Sequence, residues 1–207
     1  MKQIPFRRLA VMILSIPVMG LGVALFRLSL MGNDPSTAFA IAVSDNLRVD
    51  MSLGIILMNS LYFVAELLLG RHMIGVGTFF NWFGVGPAAS LWLRLLTGVF
   101  TFPEDFAGRL LVMIPGVLVL SFSAAMIQVA DTGIGTYDSL SLIMAERLPI
   151  RYFWCRMITD AVCTALAFLL GGIIGLGTLA CALGLGPFIN FFSKYAAAPM
   201  CGVTWDK

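Results

Sequence analysis

The chain is a succession of long apolar runs separated by short polar ones. Leu9 to Phe26, Met73 to Leu93 and Leu110 to Ala130 carry no charge. Each has the roughly 18 or more residues that a bilayer-crossing helix needs. Met51 to Gly70 has one charge, Glu66, near its end. Ala161 to Ser193 is uncharged and too long for one span, and Gly171-Gly172 divides it. The pattern predicts an all-α polytopic membrane protein. Its six spans fall near 9–31, 51–70, 73–97, 108–130, 152–170 and 173–193.

Two segments fit neither a span nor an ordinary loop. Gly32-Asn33-Asp34-Pro35-Ser36-Thr37 leads into Ala38 to Asn46, and Gly133-Ile134-Gly135-Thr136-Tyr137-Asp138 leads into Ser139 to Arg147. Each opens with turn chemistry, and Asp34-Pro35 reads as a helix cap followed by a first-turn proline. About ten helical residues cannot cross about 30 Å of hydrocarbon. Half-helices or re-entrant segments are expected, with a surface amphipathic helix as the alternative. Irregular backbone at membrane depth must be buried in protein or line a cavity.

The chain also repeats itself. Gly75-Val76-Gly77-Thr78 returns as Gly175-Leu176-Gly177-Thr178, and Gly84-Val85-Gly86-Pro87 returns as Gly184-Leu185-Gly186-Pro187. Six residues are identical at an offset of 100. The turn segments align best at 101, pairing Gly32 with Gly133, Thr37 with Asp138 and Arg27 with Gln128. Two repeats follow, residues 1–100 and 101–207, joined by a linker from Thr97 to Gly108 that holds Pro103, Glu104 and Asp105. Three spans per repeat make the second copy enter from the opposite side, so the repeats should be inverted about an axis in the membrane plane. Gly77, Asn81 and Gly84 share one helix face, as do Gly177, Cys181 and Gly184, and small residues there favour close helix packing. Pro17, Pro87, Pro115 and Pro187 should kink their spans or free a carbonyl.

Composition agrees with a membrane setting. Hydrophobic residues are 59% and charged residues 12% of the chain, against about 25% charged in a soluble domain. The N-terminus has no small-residue cleavage site, which predicts a retained first helix. Lys2, Arg7, Arg8, Arg71, Arg147, Arg151, Arg156, Lys194 and Lys207 gather on one side of the alternating loops. Arg27, Arg48, Arg94 and Arg109 gather on the other. The asymmetry favours cytoplasmic termini. The net charge of +2 is then a topology signal, and no nucleic-acid partner is expected. Cys155, Cys163, Cys181 and Cys201 show no paired ligand spacing and read as small packing residues. No metal cluster, phosphate loop or nucleophile motif stands out, so no cofactor, no metal and no enzymatic activity are expected.

Polar residues within the apolar runs are the functional candidates, because buried charge in a membrane is costly. Arg27 either snorkels to the interface or faces Asp34 or an anionic ligand. Glu66 is expected at the interface. Asp160 has Arg156 four residues before it on the same face, the spacing of an internal ion pair. Thr159-Asp160 matches Asn59-Ser60 in the other repeat, so the same turn is polar in both. Asp131 and Asp138 flank the second half-helix start, where a carboxylate either stabilises the helix N-terminus or meets substrate. The expected cavity-lining set is Arg27, Asp34, Thr37, Asn59, Asn81, Gln128, Thr136, Asp138 and Asp160.

The Gly-x-x-Pro pattern after the first helix and the two Gly-x-Gly-Thr motifs resemble the bacterial YczE-like and YitT-like integral membrane proteins. Gly32 and Pro35 fit, with Thr37 where an Asp stands in the pattern. Gly133 and Asp138 fit, with Thr136 in place of the Pro. The resemblance implies a bacterial cytoplasmic membrane and a duplicated helical bundle. It also implies transport of a small metabolite, and transfers no catalytic residues. A secondary carrier for a small polar or zwitterionic metabolite, coupled to protons through Asp138 or Asp160, is the leading expectation. A non-transporting scaffold or accessory subunit is the alternative. Lipid and the metabolite are the expected partners, and a homodimer is compatible with the pattern.

Overall fold

The computed structural model describes residues 5–100 and 105–203. Lys2, Pro103, Glu104 and Lys207 lie outside the described residues. The described chain is helical, in the order α1 Phe6–Ser29, α2 Pro35–Leu47, α3 Met51–Leu69, α4 Val76–Val99, α5 Phe106–Ala130, α6 Thr136–Arg147, α7 Tyr152–Leu169, α8 Leu176–Phe192 and α9 Ala198–Cys201. A 3-10 turn, Arg71–Met73, precedes α4, and a π-helical stretch, Ser193–Ala197, joins α8 to α9. α1, α3, α5 and α7 are each long and apolar enough to cross a membrane. The bent pair Leu176–Ala182 and Gly184–Cys201 would make a fifth such span. Its 56° bend falls where Pro187 removes a hydrogen bond from the preceding turn.

α2 and α6 are short, with 13 and 12 residues, or about 18–20 Å at 1.5 Å per residue. Each follows a break of the same form. α1 ends at Leu30 with φ 53° and the chain turns at Gly32 with φ 94°. α5 ends at Asp131 with φ 50° and turns at Gly133 with φ 133°. Positive φ at these glycines costs little, because no Cβ clashes there. Asn33 then reaches back to α1, its Nδ2 donating to the Val23 carbonyl at 3.3 Å. The start of α2 is thereby fixed below the end of α1.

Packing falls into two groups of helices, joined where α4 also packs on α3. α1 and α5 form a central pair, with α4 against α1 and α8 against α5. Small residues permit the close approach. Gly20 lies against the Ala88–Ala89 backbone, Gly22 against Leu120, and Gly116 against Phe26. The second group is α2, α3, α6 and α7, in which each short helix touches both α3 and α7. Ser44 of α2 lies against Gly54 of α3, and Ile143 of α6 against Gly70 at the other end of α3.

The two halves also clasp one another through their breaks. Gly77 N–H donates to the Thr132 carbonyl at 2.9 Å, and Gly177 N–H donates to the Met31 carbonyl at 2.8 Å. The start of α4 therefore sits in the break before α6, and the start of α8 in the break before α2. The Gly-x-Gly-Thr motifs do more than pack helix faces, because their glycines let backbone meet backbone. Further along, the copies differ. A Cβ at Gly84 or Gly86 would strike Ile16 or the Ser52 backbone, whereas Gly184 and Gly186 have open space beside them.

Candidate functional site

The helix starts of α2 and α6 meet α3 and α7 in a polar cluster. Asp34 caps α2, its Oδ2 accepting Thr37 N–H at 3.1 Å, while its own N–H donates to Asn33 Oδ1 at 2.9 Å. Its other oxygen, Oδ1, is buried without a hydrogen-bond partner among the described residues. A carboxylate in the first turn is stabilised by the helix dipole, and Asp138 occupies the first turn of α6. Thr136 Oγ1 donates to Asn59 Oδ1 on α3 at 3.2 Å. Tyr137 donates from its hydroxyl to Asp160 Oδ1 on α7 at 2.5 Å.

Arg156 organises this cluster. Its guanidinium bonds to Asp138 through Nη1 and lies 3.3 Å from Asp160 Oδ1 through Nε. It also covers the Tyr137 ring at 4.7 Å from the centroid. Asp160 is buried, with a side chain 8% exposed, while Asp138 is about half exposed. Two carboxylates share one cation, so the group carries one negative charge in excess. Asp34 is within electrostatic reach of both Arg156 and Asp160. The Tyr62 ring packs on Tyr137 at 5.4 Å, and its hydroxyl lies 3.7 Å from Cys163 Sγ.

The nine candidates separate into three groups. Asp34, Thr37, Asn59, Thr136, Asp138 and Asp160 converge at this cluster. Asn81 approaches its edge: a Cβ at Gly135 would lie 3.4 Å from Asp138 Oδ2 and 3.7 Å from Asn81 Oδ1. Asn81 Nδ2 also lies 3.8 Å from Met19 Sδ. Arg27 and Gln128 lie elsewhere. Arg27 grips Asp45 near the end of α2 in a two-pronged pair at 3.0 and 2.9 Å, and Gln128 is exposed on α5. Beside Arg27 a cleft lined by Phe26, Gly32, Asn33 and Ile41 has about 20 Å³ of open volume, room for about one water. Among the described residues no group of three or more His, Cys, Asp or Glu could hold a metal ion.

Asp131 turns away from the cluster, with its side chain exposed and 3.8 Å from Arg8. Glu66 differs from its expected interfacial position. It is fully buried, and neither carboxylate oxygen has a hydrogen-bond partner among the described residues. The cause is the inward stripe of α3, where Ile55, Met58, Tyr62 and Glu66 recur at helical spacing. Outside the spans, Asp50 caps α3. The Ser52 N–H, the Ser90 hydroxyl and Arg94 hold its carboxyl below the usual aspartate range.

Tyr62 and Tyr137 escaped the sequence reading because tyrosine is an ordinary buried residue. A signal was present for Tyr137, which stands between the candidates Thr136 and Asp138. A family of unknown function, DUF6198, matches residues 6–194, and the chain belongs to it. An uncharacterized protein of Haemophilus influenzae is 25% identical over 197 residues, covering 93% of this chain and 86% of that protein. No solved structure matches.

Proposed function

We propose that this DUF6198 member is a secondary carrier of a small polar or zwitterionic metabolite, with six membrane helices in two inverted repeats and its site where the short helices begin. The observation that carries this reading is the buried, unpartnered Oδ1 of Asp34, at a helix start within reach of the Arg156 cluster. A vacant carboxyl acceptor beside two acids that share one cation suits a cargo with a cationic end. Intramembrane ionisable groups commonly mark substrate or proton pathways. The repeated breaks at Leu30/Gly32 and Asp131/Gly133, and the reciprocal clasp of α4 and α8, support the inverted repeat. The resemblance to the YczE-like and YitT-like proteins agrees with it. The Lys and Arg asymmetry favours a cytoplasmic membrane with both termini inside.

In this reading the cargo's amine meets Asp34 or Asp138 and its acid meets a guanidinium. Arg156 suits that role better than Arg27, because it stands in the cluster whereas Arg27 lies away from it, paired with Asp45. Proton coupling runs through Asp138 or Asp160, because a proton or an ammonium would neutralise the excess charge. No covalent chemistry is involved. Asp138 is half exposed while Asp160 is covered, so loading as far as Asp160 requires α2 or α6 to part from α7.

A scaffold or accessory subunit is the second reading, and one observation favours it. Asn59 with Thr136, Tyr137 with Asp160, and Arg156 with both acids largely satisfy one another. Reconstitution into liposomes and a flux screen over amino acids, amines and small acids separates the two. The carrier reading expects saturable flux for at least one zwitterion, lowered at least tenfold in Asp34→Asn. Asp138→Asn and Asp160→Asn should change its pH dependence. No flux across the panel from folded protein favours the scaffold. Full pH-dependent flux in both Asp138→Asn and Asp160→Asn would refute coupling through those residues.

A further inference from the structure

Glu66 stands outside the cluster and outside every ion pair found among the described residues. It lies one helical turn, about 6 Å along the axis, beyond Tyr62. One turn further, Gly70 meets Ile143 of α6. It is therefore placed between the Tyr62–Tyr137–Asp160 group and the end of α3.

No charged or polar side chain on its own or the neighbouring elements bonds to it among the described residues, and several are engaged elsewhere. On its own side of the fold, Arg71 donates from Nε to the Leu67 carbonyl at 2.8 Å. On α6, Arg147 donates to the Leu69 carbonyl at 3.1 Å, Glu146 pairs with His72 at 3.1 Å, and Asp138 pairs with Arg156. On α7, Asp160 is held by Tyr137 and Arg156. On α2, Asp34 caps its own helix and Asp45 pairs with Arg27. Near its start α4 offers Thr78, whose hydroxyl donates to the Ile134 carbonyl at 2.8 Å. None of these satisfies the Glu66 carboxyl.

An ionised carboxylate buried without a hydrogen bond or a counter-charge is very costly, and such a group binds a proton instead. We propose that Glu66 is a proton-binding site, neutral in this closed arrangement. It exchanges its proton with the inner end of the bundle when α6 separates from α3. One proton adds to one carboxylate oxygen and leaves by the same O–H bond, and nothing else changes covalently. The proton site stands on burial and missing partners alone. A role in coupling rests additionally on the carrier reading.

The test begins with the unmodified protein in proteoliposomes, so no variant has to fold. Dicyclohexylcarbodiimide reacts with protonated carboxyls from the apolar phase. Peptide mass spectrometry should find Glu66 as the main adduct, with labelling falling about tenfold per pH unit above its titration point. Infrared difference spectra across the same pH range should show loss of a protonated-carboxyl band that Glu66→Gln lacks. An unmodified Glu66 alongside labelled Asp138 or Asp160 overturns the site, as does an identical infrared titration in Glu66→Gln. If some cargo is transported, Glu66→Gln should abolish the pH dependence of flux while flux persists, and unchanged pH dependence removes the coupling role. If no cargo is transported, the carrier reading fails while the labelling still decides the proton site.

Discussion

Arg156 is the side chain on which the cluster depends. It neutralises the buried Asp160, bonds to Asp138 and shields the Tyr137 ring. Its removal leaves a buried carboxylate without a counter-charge, a change that costs about 3–5 kcal/mol when one partner of a buried pair is lost. Arg156→Gln should therefore lower the apparent unfolding temperature clearly in detergent. Arg27→Gln should cost about 0–1 kcal/mol, the usual worth of a more exposed pair. Pairing Arg156→Gln with Asp160→Asn should recover part of the loss, and a double-mutant cycle measures that coupling. Asp50 obeys a different rule, since it is a cap. Asp50→Ala should cost about 0.5–2 kcal/mol, because the α3 start loses its acceptor and Ser90 and Arg94 lose their partner. The folded carboxyl is depressed, so its contribution is present above the roughly pH 4 of an unfolded aspartate. It disappears as pH falls through the lower folded value. Thermal unfolding followed from pH 7 to pH 3 should show a difference between wild type and Asp50→Ala that shrinks only at the acid end.

Among the helices, one repeated motif now has unequal consequences. Gly86 lies against the Ser52 backbone, where an added Cβ would come within 2.6 Å of the carbonyl oxygen, whereas Gly186 has nothing near it. Gly86→Ala should reduce folded yield sharply. Gly186→Ala should be neutral or stabilising by up to about 1 kcal/mol, the helix-propensity gain of Ala over Gly. Fluorescence size-exclusion profiles after heating compare the two directly, and equal losses would mean that α8 packs as α4 does. Gly133→Ala should be harsher than either, because it combines φ 133° with the Gly75 Cα at 2.7 Å. The helices themselves were legible from sequence, because charge-free length, the Asp34-Pro35 cap and glycine breaks are local signals. The six expected spans correspond to helices that begin and end within about three residues of them, of which four, or five with the bent pair, are long and apolar enough to cross a membrane. The meeting of Gly77 with Thr132 and of Gly177 with Met31 was not legible, since glycine at helical spacing reads equally well as face packing. The same limit explains Arg27 and Glu66. Sequence gives the depth of a charge along its helix. It does not give the neighbour, which here was Asp45 for one and, among the described residues, no partner for the other.

At the scale of the whole molecule, the polar cluster matters because two short helices leave it in different directions. α2 ends beside Arg27 and the end of α7, where Asn46 Nδ2 donates to the Leu170 carbonyl at 2.7 Å. α6 ends beside the far end of α3, where Arg147 reaches the Leu69 carbonyl. α3 begins next to the end of α2 and finishes next to the end of α6. The two short helices therefore terminate at opposite ends of the same long helix. In an inverted repeat those ends face opposite aqueous compartments, and the helix starts face each other near the midplane. Leu47 and Leu148 occupy matched positions at these termini, at an offset of 101, and both are exposed. The four native cysteines are buried, so an introduced thiol is read against little background. Leu47→Cys should react with a membrane-impermeant maleimide only from the side opposite the termini, and Leu148→Cys only from the side of the termini. Sealed vesicles of both orientations supply the two measurements. Labelling of both cysteines from the same side would end the inverted-repeat reading, and with it the argument that the cluster sits between two compartments. Opposite labelling would make Asp34, Arg156 and Asp160 the polar contact between two half-helices that open to opposite faces, as alternating access requires.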